Sequence, residues 1–257
     1  MATWVLLRGL TRESRHWGAF PETLRRQIPD ATVVALDLPG NGQLFQLPSP
    51  RTVEEMSLDG RRQLLDQGFG PPYYLLGMSL GAMVAVAWAT HHPEELLGCV
   101  LINTSLRPLN PLYQRLRVQN YASLLCLAFF ARSAQRRERT ILRLTSRHFC
   151  SSAQVLGQWL SFARENPVSR GNALRQLLAA ARFRAPREKP LPPLLILSSR
   201  EDALVDSRCS RQIAASWQSP LVEHPSAGHD LALDDGHWVA SQVRRWVERE
   251  RAQRSVR

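Results

Sequence analysis

Lysine is nearly missing from this 257-residue chain: Lys189 is the single one, and arginine supplies almost all of the 33 basic side chains. Long apolar runs are missing too. The two longest, 79–90 and 121–131, fall short of the roughly 20 residues that cross a bilayer, so no membrane span is expected. The four cysteines, Cys99, Cys126, Cys150 and Cys209, form no CxxC pair and have no histidine at ligand spacing. That excludes a disulfide framework and a structural zinc site, and fits reduced thiols in a cytoplasmic protein. The start, Met-Ala-Thr-Trp-Val-Leu-Leu-Arg, has no basic stretch leading into an apolar run, so no secretory leader is expected. No internal repeat is present.

What is present is an ordinary globular balance, 44% hydrophobic and 21% charged, in a length that suits one α/β domain with a full core. The net charge of +11 is unevenly placed. Residues 104–190 hold 16 Lys or Arg against Glu138, Glu165 and Glu188, giving +13, so the remainder sums to −2. No aromatic platform interleaves those arginines and no nucleic-acid motif accompanies them, which argues against a nucleic-acid partner.

Short β-prone runs at 3–7, 31–36, 73–76, 98–102, 194–197 and 221–224 alternate with helical spacing at 17–27, 52–67, 80–91, 207–217 and 238–251. Nearly continuous apolar strands alternating with helices predict a mostly parallel sheet of about six strands, covered by helices on both faces. The stretch 104–190 breaks the rhythm and reads as several helices. The expected organisation is therefore a core of 1–103 and 191–257, with 104–190 an Arg-rich helical cap inserted before the last two strands.

Gly77-Met78-Ser79-Leu80-Gly81 is a G-x-S-x-G. The pentad alone is weak, but it follows a strand and opens an apolar helix, the setting it requires. A nucleophile on a sharp strand-to-helix turn needs residues without bulk two before and two after it, and Gly77 and Gly81 supply them. Ser79 then needs a base, and the base an orienting acid. His229 and Asp202 each follow a strand, where open α/β sheets place their sites, and their order after the serine is the one this turn demands. His224, Glu201 and Asp206 compete for the same roles. Two N–H donors are needed for an oxyanion: Leu80, directly after the nucleophile, and Leu10, in the loop after the first strand. No metal or organic cofactor is required by this chemistry.

On the sequence Asp37-Leu38-Pro39-Gly40-Asn41-Gly42, the 77–81 turn, Asp202-Ala203-Leu204-Val205 and Gly228-His229, the chain resembles the α/β-hydrolase superfamily. It is similar in particular to short bacterial esterases of the pimeloyl-ACP methyl ester carboxylesterase type. The resemblance covers about 1–103 and 191–250, leaves the cap unmatched, and implies a structural role for Asp37. One departure is Arg8-Gly9 where the family usually has His-Gly. Arg8 is expected either to meet an anionic part of the substrate or to pair locally with Asp37 or Asp59. The other is an early start of the first strand, as if two leading strands were absent.

The expected reaction is hydrolysis of a carboxylic ester or thioester through an acyl-enzyme. The substrate is a small molecule, anionic or carrier-bound if the cap arginines read it. Arg107, Arg115, Arg117, Arg132, Arg136, Arg137, Arg139, Arg143 and Arg147 either recognise such an anion or form a solvated face. The apolar run 121–130 either lines an acyl pocket or is the cap's own buried helix. Two rival readings stay open: a cofactor-free C–C hydrolase or lyase on the same three residues, and a catalytically silent binding protein. The oligomeric state is not legible.

Overall fold

In a computed structural model, residues 2–122 and 133–255 are described. The run 121–130 falls almost wholly outside them, as do Cys126 and Arg132. Six parallel strands form one sheet: β1 (Ala2–Leu7), β2 (Ala31–Leu36), β3 (Tyr73–Met78), β4 (Leu96–Ile102), β5 (Leu194–Ser199) and β6 (Leu221–His224). Their spatial order is β2-β1-β3-β4-β5-β6, and every neighbouring pair is parallel. The expected strand count and parallel sense are both found.

The central strands β3 and β4 are buried almost without a break because both faces of the sheet are covered. Val5, Leu7, Tyr73 and Leu75 enter one core with α2 (Val53–Asp66), α3 (Leu80–His91) and α7 (Arg208–Trp217). Trp4, Leu6, Tyr74 and Leu76 point the other way, against α1 (Phe20–Gln27) and α8 (Leu231–Ser255). The alternation of successive side chains thus feeds two cores from one strand. α2 starts at Thr52, whose hydroxyl accepts from Glu55 N–H (3.2 Å) while Glu55 accepts from Thr52 N–H (3.3 Å), a reciprocal cap. α3 is apolar all round and buried from Leu80 to Ala89, as befits a helix enclosed by its own domain.

Between β4 and β5 lie α4 (Ala134–Thr145), α5 (Ala153–Glu165) and α6 (Arg170–Arg182). Apolar residues of these helices pack on the core domain, Ala179 in the first core and Leu142, Val155 and Trp159 with Leu233, and polar contacts add to them. Arg12 Nη1 donates to Glu138 on α4 at 2.6 Å, both side chains being buried. Arg15 pairs with Glu165 on α5. This wedge carries much of the basic charge, but several of its arginines are used internally. Arg115 donates to the Ala180 carbonyl (2.7 Å) near the end of α6, and Arg147 pairs with Glu201 (3.1 Å).

Candidate active site

The turn between β3 and α3 leaves Ser79 at φ 55°, ψ −115°, a left-handed conformation that a non-glycine residue holds only under strain. Its flanking glycines are required by contact. A Cβ on Gly77 would lie 2.4 Å from the Gly81 carbonyl oxygen, and one on Gly81 would lie 2.1 Å from that of Leu7. The loop after β1 comes equally close, since a Cβ on Gly9 would stand 3.3 Å from that of Ser79. Leu10 therefore follows a residue packed on the serine, and Leu80 opens α3, where the first N–H groups have no acceptor within the helix. Thr11 N–H in the same loop is held by Gln176 Oε1 of α6 at 2.8 Å.

Asp202 and His229, 27 residues apart, meet at the ends of β5 and β6. Nδ1 of the imidazole lies 2.7 Å from Asp202 Oδ2, and both residues are buried. The other carboxylate oxygen accepts from Leu204 N–H (2.7 Å) and Val205 N–H (2.9 Å), so the acid is fixed by its own loop. Burial pulls the His229 pKa down, but the Asp202 charge and hydrogen bond outweigh it and leave the pKa above its ordinary 6.5. With Nδ1 facing a carboxylate, Nε2 is the nitrogen left to exchange a proton.

The competing residues are occupied elsewhere. His224 accepts from Ala227 N–H (2.9 Å) at Nδ1 and faces Asp235 with Nε2 (3.3 Å). Glu201 is exposed and paired with Arg147, and Asp206 pairs with Arg208 (2.8 Å) at the start of α7. Asp37 accepts from Ser14 N–H (2.6 Å) and Gln43 N–H (2.9 Å), which ties two loops together.

Arg8 is the correction. It meets neither Asp37 nor Asp59, and it is not free to receive an anion. The guanidinium is buried and grips Asp230, with Nη2 at 2.6 Å and Nη1 at 3.1 Å from its two oxygens. Its carbon lies 4.7 Å from the centre of the Trp17 ring. A buried arginine survives only with such a partner, and the partner here is the residue next to His229.

Two residues that sequence reasoning passed over connect the parts. Asn103 Nδ2 donates to the His229 carbonyl (2.8 Å) and to Ser199 Oγ (2.9 Å), and its Oδ1 accepts from Ser199 N–H (2.8 Å). The next residue, Thr104, donates its hydroxyl to the Ser79 carbonyl at 3.0 Å. One dipeptide thus holds the serine turn and the histidine loop from the end of β4. The available signal was a polar triplet, Asn103-Thr104-Ser105, directly after an apolar strand.

The model of the Alpha/beta hydrolase family matches residues 4–242. Among curated proteins, the chain is similar to the pimeloyl-[acyl-carrier protein] methyl ester esterase of Chromobacterium violaceum, 32% identical over 92 residues. That match covers 36% of this chain and 34% of the relative. It is also similar to the 2-succinyl-6-hydroxy-2,4-cyclohexadiene-1-carboxylate synthase of Enterobacter sp. strain 638, 30% identical over 101 residues, 38% of this chain and 35% of that protein. The matched part thus spans about a third of either relative's length. Among solved structures, a thermophilic esterase from Thermogutta terrifontis superposes with a TM-score of 0.73 at 20% identity, covering 97% of this chain and 90% of that one.

Proposed function

From the premise that this chain belongs to the α/β-hydrolase family, we propose that it hydrolyses a carboxylic ester or thioester through an acyl-enzyme. The observation that carries the reading is the buried Asp202–His229 pair (2.7 Å) at the same edge of the sheet as the strained Ser79 turn. Ser79 Oγ attacks the acyl carbon as His229 Nε2 takes its proton. Asp202 keeps the other imidazole proton on Nδ1 and stabilises the cation that forms. The Leu80 and Leu10 N–H groups receive the developing oxyanion. The proton on Nε2 then goes to the leaving alcohol or thiol, and water repeats the sequence on the acyl-enzyme. No step calls for a metal or organic cofactor.

The name of the Chromobacterium relative makes a carrier-bound methyl ester the first natural substrate to try. The primary test is turnover of p-nitrophenyl esters from acetyl to dodecanoyl, wild type beside Ser79→Ala, with labelling by a fluorophosphonate. Turnover and labelling that vanish in the variant are expected. A serine inert to the phosphonate would overturn the reading and favour a silent binding protein. A second enzyme reading is cofactor-free cleavage of a carbon–carbon bond by the same residues; the similarity to the Enterobacter synthase, a protein named for something other than ester hydrolysis, is the reason to test a non-ester reaction. Carbon–carbon cleavage products from a vinylogous diketone, with no ester turnover, would select it.

A further inference from the structure

Helix α6 is built inside out. A surface helix ordinarily buries its apolar stripe and shows water its polar face. Here the buried face carries two amides beside one small apolar residue: Asn172 is 7%, Gln176 0% and Ala179 1% exposed. Asn172 accepts from Ser49 N–H (2.9 Å) and donates to the Leu47 carbonyl (3.0 Å). Gln176 holds Thr11 N–H and donates to Asn41 Oδ1 (3.0 Å) and Ser49 Oγ (2.9 Å). Leu174, Leu177 and Leu178, at the i, i+3, i+4 spacing of one helix face, are 55%, 49% and 39% exposed.

Further exposed apolar side chains lie near both ends of the helix. At the start, Asn172 anchors the loop that exposes Leu47, and beside it a cavity of about 460 Å³ is lined by Phe45, Leu47, Pro48 and Arg175 among others. At the far end, Arg115 binds the Ala180 carbonyl and so sets the exposed Leu112 and Tyr113 alongside. The charge carried by the helix itself is of one sign. α6 carries Arg170, Arg175 and Arg182 and no acid. Of the three acids in 104–190, Glu138 is consumed by Arg12 and Glu165 by Arg15.

We propose that the outer face of α6 is a docking surface for a membrane of anionic lipid. Three leucines inserted among the acyl chains, with arginines at headgroup level, are the chemistry of a helix lying in the bilayer interface. The amides face inward to serve the loops around Thr11 and Ser49, and that leaves the three leucines on the outer face.

The test is flotation of the full chain with vesicles of phosphatidylcholine, with and without phosphatidylglycerol, at low and high salt. The variants are Leu174→Gln/Leu177→Gln/Leu178→Gln and Arg170→Gln/Arg175→Gln/Arg182→Gln. Binding to the anionic vesicles is expected, weakened by salt and reduced about tenfold or more by the leucine triple. The arginine triple should remove the preference for anionic lipid. Unchanged melting temperatures would show both variants folded, as exposed positions predict. Failure of the wild type to bind anionic vesicles would overturn the proposal. So would equal binding to neutral vesicles, or binding that the leucine triple leaves intact. Light scattering serves as a further arm. A monomer is expected, whereas a dimer split by the leucine triple would assign the face to a second copy instead.

Discussion

Arg8 and Asp230 form a buried two-pronged ion pair, 2.6 and 3.1 Å, between the loop after β1 and the residue beside His229. Asp230 pushes the His229 pKa up and Arg8 pushes it down. Breaking the pair from either side should cost about 3–5 kcal/mol, because a buried charge is left without its partner. The two losses should move the acid limb of kcat/KM in opposite directions, upward in Arg8→Met and downward in Asp230→Asn. A purely structural role would leave the limb in place. The double variant Arg8→Met/Asp230→Leu should recover much of the stability lost in either single one.

Asp202→Asn should lower kcat by about 10⁴-fold with little change in melting temperature, since the amide fits the site but disfavours the productive tautomer. The wild-type acid limb should lie above the ordinary imidazole pKa of 6.5, because His229 is held above that value. Activity requires the neutral base and so is lost as pH falls through the raised pKa. A limb well below 6.5 would contradict the assignment of His229.

Asn103→Ala removes four buried side-chain hydrogen bonds, to Ser199 N–H, Ser199 Oγ and the Gly228 and His229 carbonyls. A loss of about 2–4 kcal/mol is expected in chemical denaturation. Since the histidine loop loses its tether, kcat should fall more than KM rises. Asn103→Asp, which keeps the acceptor but not the donors, should behave more like the alanine variant.

His16 packs edge-on against Trp159 and Phe162 of α5 and lies 2.9 Å from Arg12, so the contact between the β1 loop and the wedge is expected to weaken in acid. Burial, then the charges of Arg12 and Arg8, hold its pKa well below 6.5, so the folded protein carries it neutral. Stability from a depressed histidine is present above the unfolded pKa and is lost as pH falls below it. The melting temperature should therefore drop from pH 7.5 to pH 5.5 (roughly the window around the free imidazole value), and His16→Gln should flatten that slope. An equal slope in the variant would place the acid sensitivity elsewhere.

The linear chain by itself determined the sheet and the identity of the candidate site. Strands such as 73–78 are apolar at every position because both faces are covered, and that burial leaves a local, readable pattern. The glycines at 77 and 81 are dictated by contacts four residues apart or by one neighbouring strand, so they too were legible. Arg8 was not. A guanidinium looks the same in sequence whether it faces water or a carboxylate 222 residues away, and only folding brought Asp230 to it. The inverted α6 was invisible for the same reason, and for Asn103 the polar triplet after β4 marked the place but not its partners. Leucines at helical spacing promise a buried stripe, but which face a helix turns inward is decided by its partners. Here the backbone groups of the loops around Thr11 and Ser49 needed amides, and that need set the orientation of α6.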